Sequence, residues 1–557
     1  MAEFPKDPPR DRDRSVSSHA GVDSRSASYL LENHKSARLE NVVINEVGRR
    51  AKRKGTRAIG GITAVPGGMG SYLDPQFNDN LGAIWGSDFY RTSGAQVWSK
   101  SASSASMVSG LLHQFIQTLN EGSTALAWAT CEKVTNTSEG INGRSRLTIW
   151  DVANNVATQA SLAPNVIATF QQRIFYAEDE LVGWSEIGQL ASYSDSNNLQ
   201  VEPGIGGPVR AILPSRDSEP LLWIFKERAI FMFEVRWGAD GDYLATAGDA
   251  LDTTRSRIRP LTLGTGCVAT KSCIWVPGNE GADVLFLSAD GVRTLSRAQN
   301  DVQQGASFPI SYNIPGWIDR INWNAAHRAV AAVYDNAYHL AIPMDGSEDN
   351  NFVLRYDIDA QAWSLHTLKM RDLLQNNLND TDRLWGQNAF GTADTSATES
   401  PTDAPHQVYQ LFNSTYDPST SATVPLVAQY IEESKEYVLG DPFIKKSWDH
   451  FSFTYSSADT SYISLGYKGD QADWVTLTEV YLPGTSGTIV LGEDQLAWPD
   501  QDSITRKKMI SFDGISPKYG MQVRMADVSG ATEIGRITVL MSEIKGRKMT
   551  EGVRNDD

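Results

Sequence analysis

From about residue 80 to residue 370 the chain is a succession of short β-branched and aromatic runs, each cut by Gly, Asp, Asn or Pro. The clearest are Ala125–Cys131, Arg146–Trp150, Arg173–Ala177, Leu221–Phe225, Ala229–Val235, Asp283–Ser288, Ala329–Tyr334, Ala337–Ile342 and Asn351–Ile358. Runs of this length bounded by turn residues read as strands. Tyr334-Asp335-Asn336-Ala337 and Asp290-Gly291 read as hairpin steps, because Asp, Asn and Gly tolerate the positive φ of tight turns. Helical periodicity is scarce, and only Gly110–Leu119 and Met370–Leu378 are predicted as helices. Strand–helix alternation is absent, which excludes a parallel nucleotide-binding sheet.

A loose recurrence runs through this stretch. Arg173-Ile-Phe-Tyr-Ala…Trp184-Ser-Glu, Leu222-Trp-Ile-Phe-Lys, Asp283-Val-Leu-Phe-Leu-Ser and Val353-Leu-Arg-Tyr-Asp…Trp363-Ser share one plan of strand, polar turn and second strand. The spacing of about 40 to 60 residues suits blades of a β-propeller. Radial repetition also protects the edges that an open sheet of such length would expose. The expected fold is therefore mainly β, a propeller-like body with a second β unit.

That second unit begins near residue 425. Val424–Ile431, Trp448–Tyr455, Tyr462–Tyr467, Trp474–Tyr481, Thr488–Leu491, Lys508–Phe512, Met521–Met525 and Glu533–Met541 are strand candidates at sandwich-like spacing. The expected division is 1–60 as an N-terminal arm with a basic turn, flexible at its start. Residues 61–383 form the propeller-like body, 384–424 a low-complexity acidic loop, 425–545 a β-sandwich platform, and 546–557 a polar tail. Residues 384–434 contain no Lys or Arg.

Charge is divided along the chain. Of its 557 residues, 50 are Lys or Arg and 67 Asp or Glu, a formal net charge of −17. Residues 1–60 hold 13 basic and 8 acidic residues, and the remainder holds 37 and 59. An acidic body argues against a dedicated duplex-DNA binder. The run Arg49-Arg50-Ala51-Lys52-Arg53-Lys54-Gly55-Thr56-Arg57 has two readings. It is a solvated turn between strands Asn41–Val47 and Ala58–Thr63, or a contact for phosphate or an acidic partner. Cys131, Cys267 and Cys273 are the only cysteines and form no C-x-x-C pair, which argues against a disulfide scaffold or a structural zinc. No apolar run reaches membrane-spanning length, and no signal peptide is expected.

Catalytic motifs are near misses. Gly183-Trp-Ser185-Glu-Ile-Gly188 has one residue too many for a nucleophile elbow. Gly266-Cys-Val-Ala-Thr270-Lys271-Ser272 lacks the Gly that must precede the Lys of a phosphate loop. The eight His are scattered. Asp240-Gly-Asp242 and Asp345-Gly-Ser-Glu-Asp349 lack full calcium-loop spacing and read as turns. Paired carboxylates of a glycan hydrolase remain open, as does an adhesin stacking sugars on Trp85, Trp98 or Trp474.

One resemblance joins these features. Asn41-Val-Val-Ile-Asn-Glu-Val-Gly48-Arg-Arg…Lys54-Gly55-Thr56-Arg57-Ala-Ile resembles the strand, Gly, basic turn and Gly-Thr opening of tail nozzle proteins of short-tailed bacteriophages, also called tail tubular protein B. Arg173-Ile-Phe-Tyr-Ala with Trp184-Ser185-Glu186, Ile224-Phe225-Lys226-Glu227-Arg228, Val284-Leu-Phe-Leu-Ser288-Ala-Asp290-Gly291-Val292-Arg293, Tyr334–Pro343, Tyr356-Asp357 and Trp363-Ser364 follow in the same order. The resemblance implies a structural virion protein, not an enzyme, with no catalytic residue, metal or cofactor. It implies a ring of six subunits beneath a head-to-tail adaptor, bearing tail fibres or spikes and assembled in the host cytoplasm. Genome DNA would be held and passed non-specifically, without stable membrane insertion. Arg49, Arg50, Lys52, Arg53, Lys54 and Arg57 become candidate contacts for adaptor, neighbour or DNA, and the 384–434 stretch a candidate channel face. Gly55, Trp184, Ser185, Lys226, Asp290, Gly291 and Trp363 become structural motif positions.

Overall fold

The computed structural model describes residues 15–16, 21–27, 30–31, 35–44, 49–62, 64–76, 78–92, 98–101, 107–132, 143–194, 196–216, 221–238, 240–242, 249–278, 281–296, 308–378, 381–388, 407–414, 430–437, 445–457, 461–470, 472–482, 495–496, 506–512, 515, 518, 520–526 and 532–543, apart from 121–122. It separates into two compact units, residues 54–358 with 365–428, and residues 1–53 with 359–364 and 429–557.

The first unit is a β-propeller. Pro66–Leu73, Asp79–Trp85, Asp88–Thr92 and Trp98–Lys100 form one antiparallel sheet. His113–Asn120, Ser123–Thr130, Thr148–Asp151 and Val156–Gln159 form the next. Val166–Phe170, Arg173–Glu178, Leu181–Trp184 and Asn198–Gln200 follow, then Val209–Pro214, Leu221–Lys226, Ala229–Glu234 and Arg257–Leu263. Ile274–Gly278, Gly281–Ser288 and Gly291–Thr294 make a three-stranded sheet, and Val330–Tyr334, Ala337–Ile342 and Phe352–Asp357 pair beyond it. The last sheet is built from both ends of the unit, since Asp372–Leu378, Thr381–Gln387 and Gln407–Ser414 are completed by Gly55–Gly61. First strands lie side by side around the ring, and Asp372–Leu378 packs against Pro66–Leu73 to close it.

Apolar layers between sheets hold the ring. Phe89 stacks on Trp128 at 4.7 Å, joining the first two sheets. Phe175, Trp184, Phe231 and Trp237 fill the layer between the 166–200 and 209–263 sheets. Each fully buried side chain of this size contributes about 1.5–3 kcal/mol. Asp335 and Asn336 both have positive φ, 50° and 48°, as the hairpin reading required.

Both predicted helices are strands instead, His113–Asn120 and Asp372–Leu378. Each has a partner strand at hand, Ser123–Thr130 and Thr381–Gln387, and cross-strand pairing outweighs local propensity. The loop predicted from 384 to 424 contains a strand, Gln407–Ser414, while 389–406 and 415–424 lie outside the described residues.

The second unit is a β-sandwich of two antiparallel sheets. One contains Arg38–Glu40, Ile431–Tyr437, Met521–Ala526, Ser461–Gly469 and Val475–Leu482. The other contains Val42–Ile44, Arg50–Lys52, Thr532–Glu543, Lys446–Ser457, Arg506–Ser511 and Gln495–Leu496, with Ser15–Val16 pairing on Thr532–Glu543. N-terminal strands thus belong to this unit rather than to a separate arm. The predicted strand Thr488–Leu491 lies outside the described residues. Among the described residues no helix is long and apolar enough to cross a membrane.

Candidate functional site

The basic run is not a solvated turn. Strands Arg50–Lys52 and Gly55–Gly61 pass through it. Arg50 is buried and pairs with Glu432 at 2.5 Å, and the Tyr430 hydroxyl donates to the other Glu432 oxygen at 2.6 Å. Burial holds the Tyr430 phenol far above its usual pKa. Arg53 is buried too, its Nε donating to Asn41 Oδ1 at 2.9 Å. Arg49 and Lys52 are half-buried, and only Lys54 and Arg57 of the six candidate contacts are exposed. The assignment of Arg50 and Arg53 as surface contacts is therefore corrected: both close the interior of the sandwich.

A polar constellation of the propeller was not foreseen. Glu132, just after Ser123–Thr130, accepts from Leu112 N at 2.9 Å, from Arg371 at 3.4 Å and from Arg328 Nε. Asp349 accepts from Arg371 at 3.4 Å and lies 3.7 Å from Arg328. Asn350 Nδ2 donates to Arg328 O at 2.9 Å. Beside this group, Lys271 meets Asp372 at 2.5 Å, and Asp372 also accepts from Met69 N at 2.6 Å. Lys271 Nζ reaches His113 O at 3.4 Å. Burial raises the Asp372 carboxyl above its usual range, with Lys271 opposing.

These contacts fix where the constellation sits. His113 and Glu132 belong to the 113–159 sheet, and Lys271 directly precedes the 274–294 sheet, with two sheets between them. Segments that are not ring neighbours approach to hydrogen-bond distance only near a propeller's axis. The axis is therefore bridged by paired side chains at this level. His113 completes the lining: a carbonyl can only accept, so Nδ1–H donates to Gly67 O at 3.0 Å and Nε2 accepts from Ser145 Oγ at 2.9 Å. Burial pushes its pKa down to about 4.

No spacing in the sequence signals this group, because its side chains come from four stretches far apart in the chain, 113–132, 271, 328–350 and 371–372. The single hint was the phosphate-loop near miss. Gly266 is required there for close approach, since a Cβ would stand 2.2 Å from Lys226 O and 2.7 Å from Ala229 N. Both obstacles are backbone, so Gly266→Ala is expected to lose about 3 kcal/mol in urea unfolding, the upper range for overpacking. The run therefore packs against the Leu221–Lys226 hairpin and delivers Lys271 to Asp372.

The motif positions are structural. Ser185 is buried, donates to Glu186 O and accepts from Ile174 N, so it is no exposed nucleophile. Trp184 lies in the apolar layer described above. Lys226 is fully buried, its Nζ donating to Val201 O, Glu202 O and Glu180 at 2.9–3.1 Å across two sheets. Asp290 holds Arg293 Nε at 2.9 Å, and Gly291 has φ 129° where a Cβ would strike Ser311 Oγ. Gly55 and Trp363 are buried. The sugar platform is also corrected: Trp85 is core, Trp98 packs edge-on against it at 4.7 Å, and Arg524 covers Trp474 at 5.9 Å. Asp345 closes a turn and pairs with Arg320 at 2.7 Å. Among the described residues no group of acids, His and Cys is disposed to hold a metal.

No protein-family model matches the chain, and no curated protein matches it. Solved structures do. An exo-β-1,3-galactanase from Phanerochaete chrysosporium is 10% identical over 94% of this chain and 99% of its own, with a TM-score of 0.20. An arabinoxylan arabinofuranohydrolase of glycoside hydrolase family 43 from Bacillus subtilis is 7% identical over 95% and 99%, TM-score 0.17. The Trypanosoma rangeli sialidase is 8% identical over 92% and 96%, TM-score 0.26. The expectation that the chain is not an enzyme is corrected by this finding, since these similar structures are enzymes. At such TM-scores the likeness assigns no substrate or residue to this chain.

Proposed function

We propose that the chain is a ring-forming subunit of a short-tailed phage tail, a nozzle or hub that holds and passes genome DNA. The observation that carries this reading is the strand Gly55–Gly61. It begins within the basic Gly-Thr phrase of the resemblance and supplies the closing strand of the propeller. Of the remaining motif residues, Lys226 clasps two sheets, Asp290 and Gly291 form a turn, and Trp184, Ser185 and Trp363 are buried. With the axis bridged, DNA would run along a surface formed between copies. An acidic body suits transit, because each neutralised phosphate would add salt-dependent affinity. Exposed Lys54 and Arg57 then replace the buried arginines as candidate partner contacts.

Negative-stain images of the purified chain, alone and with a head-to-tail adaptor, are expected to show closed rings. Monomers under both conditions defeat the reading. Lys54→Glu with Arg57→Glu is expected to reduce genome retention in particles several-fold while leaving the melting temperature unchanged. Particles with normal DNA content would remove these two residues from the contact surface.

A second reading is glycan hydrolysis by the axial acids. It draws on Asp372, whose carboxyl burial raises as a general acid requires. Reducing-sugar release from β-linked glycans, lost in Asp372→Asn, would establish it.

A further inference from the structure

We propose that Lys271 and Asp372 are a self-modification site, where the two side chains condense to an intrachain isopeptide bond that staples the propeller near its axis. The proposal rests on the geometry of this pair and on neither functional reading above. Lys271 Nζ stands 2.5 Å from Asp372 Oδ1 and 2.5 Å from Asp372 Oδ2. An amine equidistant from both oxygens faces the carboxyl carbon that it would attack. The Asp372 side chain is 0% exposed and that of Lys271 12%. Gly68 leaves room for this approach. Its φ is 118°, and a Cβ there would stand 2.8 Å from His113 O and 3.3 Å from Asp372 Oδ2.

The surroundings separate this pair from an ordinary ion pair. Lys226, the other buried lysine of the propeller described above, shares its protons among three acceptors, and the carboxylate it meets at 3.1 Å, Glu180, is 31% exposed. Water competes for that carboxylate but not for Asp372. In a dry site two opposed charges carry a desolvation cost that a neutral amine beside a neutral carboxyl avoids. Burial raises the Asp372 carboxyl, which favours taking a proton from the ammonium, while Lys271 opposes. Met69 N donates to Asp372 Oδ2 at 2.6 Å and Leu373 N to Oδ1 at 3.0 Å. Amides already aimed at the carboxyl oxygens stabilise the negative charge that builds there when nitrogen adds. Well-oriented groups within one molecule react at effective concentrations of about 10⁵–10⁸ M.

The step balances without a co-reactant. The Lys271 ammonium passes one proton to the Asp372 carboxylate. The freed Nζ lone pair adds to Cγ, and the electron pair of the C=O bond moves to oxygen. The tetrahedral carbon then expels its hydroxyl, which takes a second proton from nitrogen and leaves as water. One C–N bond forms, one C–O bond breaks, and nothing is oxidised or reduced. The amide would join residues 101 positions apart. It would tie the Thr270–Ser272 turn to Asp372–Leu378, the strand that closes the ring against Pro66–Leu73.

The test is the intact mass of the purified full chain, unfolded in acid. The expected result is a mass lower than that of the sequence by one water, and a tryptic peptide in which Lys271 is joined to Asp372. Lys271→Arg keeps the opposed charges but lacks the reacting amine, and it should show its full sequence mass, as should Asp372→Ala. Circular dichroism verifies that each variant is folded. Wild type at its full sequence mass would overturn the proposal. So would a water loss that persists in Lys271→Arg, as a succinimide at Asp290-Gly291 would give. Both measurements are independent of whether the chain forms rings or cleaves glycans.

Discussion

Glu132→Ala is expected to lower the unfolding free energy by about 3–5 kcal/mol, the range for removing one partner of a buried ion pair. Glu132 is 1% exposed and is the shared acceptor for Arg328, Arg371 and the Leu112 amide. Without it the Leu112 amide is left buried and unpaired, which alone costs about 1–3 kcal/mol. Arg371, 8% exposed, keeps its bond to Gly110 O and the 3.4 Å contact with part-exposed Asp349 but loses its buried countercharge. Arg328 loses least, because it reaches solvent. Urea unfolding of wild type and variant measures the difference, and a loss below about 1 kcal/mol would show that the axial pairs are not structural. The double variant Glu132→Met with Arg371→Met should lose less than the two single changes added together, since apolar replacement removes the stranded charge as well as its partner.

Acid weakens the fold, beginning near pH 6.5. His113 and His339 are fully buried and uncharged, with pKa values pushed down to about 4 and about 3. For His339 the causes are burial and then the Arg355 guanidinium, against one supporting bond to Ala337 O. In the unfolded chain a His takes its proton near pH 6.5, so below that pH the unfolded state binds protons that the folded state refuses. Stability is therefore whole above about pH 6.5 and is lost as pH falls, until each folded-state pKa is reached. At about 1.4 kcal/mol per unit the loss by pH 4 is about 3 kcal/mol for each His. Asp372 works in the opposite sense, because its raised carboxyl takes up a proton in the folded state first. His339→Phe, among the rings of Tyr334, His366 and Phe412, should flatten the dependence of the urea midpoint on pH between 6.5 and 4. A slope equal to that of wild type would remove His339 from the account.

Much of the architecture was legible because it rests on local rules. Strands with a period of two, Asp-Asn and Asp-Gly turns, and the recurrence of strand pairs all depend on residues close in sequence. They gave a propeller followed by a sandwich without reference to any contact. The two misread helices, Gly110–Leu119 and Met370–Leu378, failed where tertiary pairing overrode a weak local signal. The basic run failed for a related reason. Six cations in nine positions look like surface, yet Arg50 has Glu432 as its buried partner, 382 residues away.

The sequence by itself determined the β class, the two-unit order, the turns and the division of charge, since each follows from composition and short-range spacing. Only the tertiary structure decided that Gly55–Gly61 closes the ring, that Lys226 and Ser185 are clasps, and that Glu132, Lys271, Arg328, Arg371 and Asp372 meet at the axis. Their encounter depends on how many blades intervene and on the angle between them. Ring closure sets both, and no local pattern of residues encodes either.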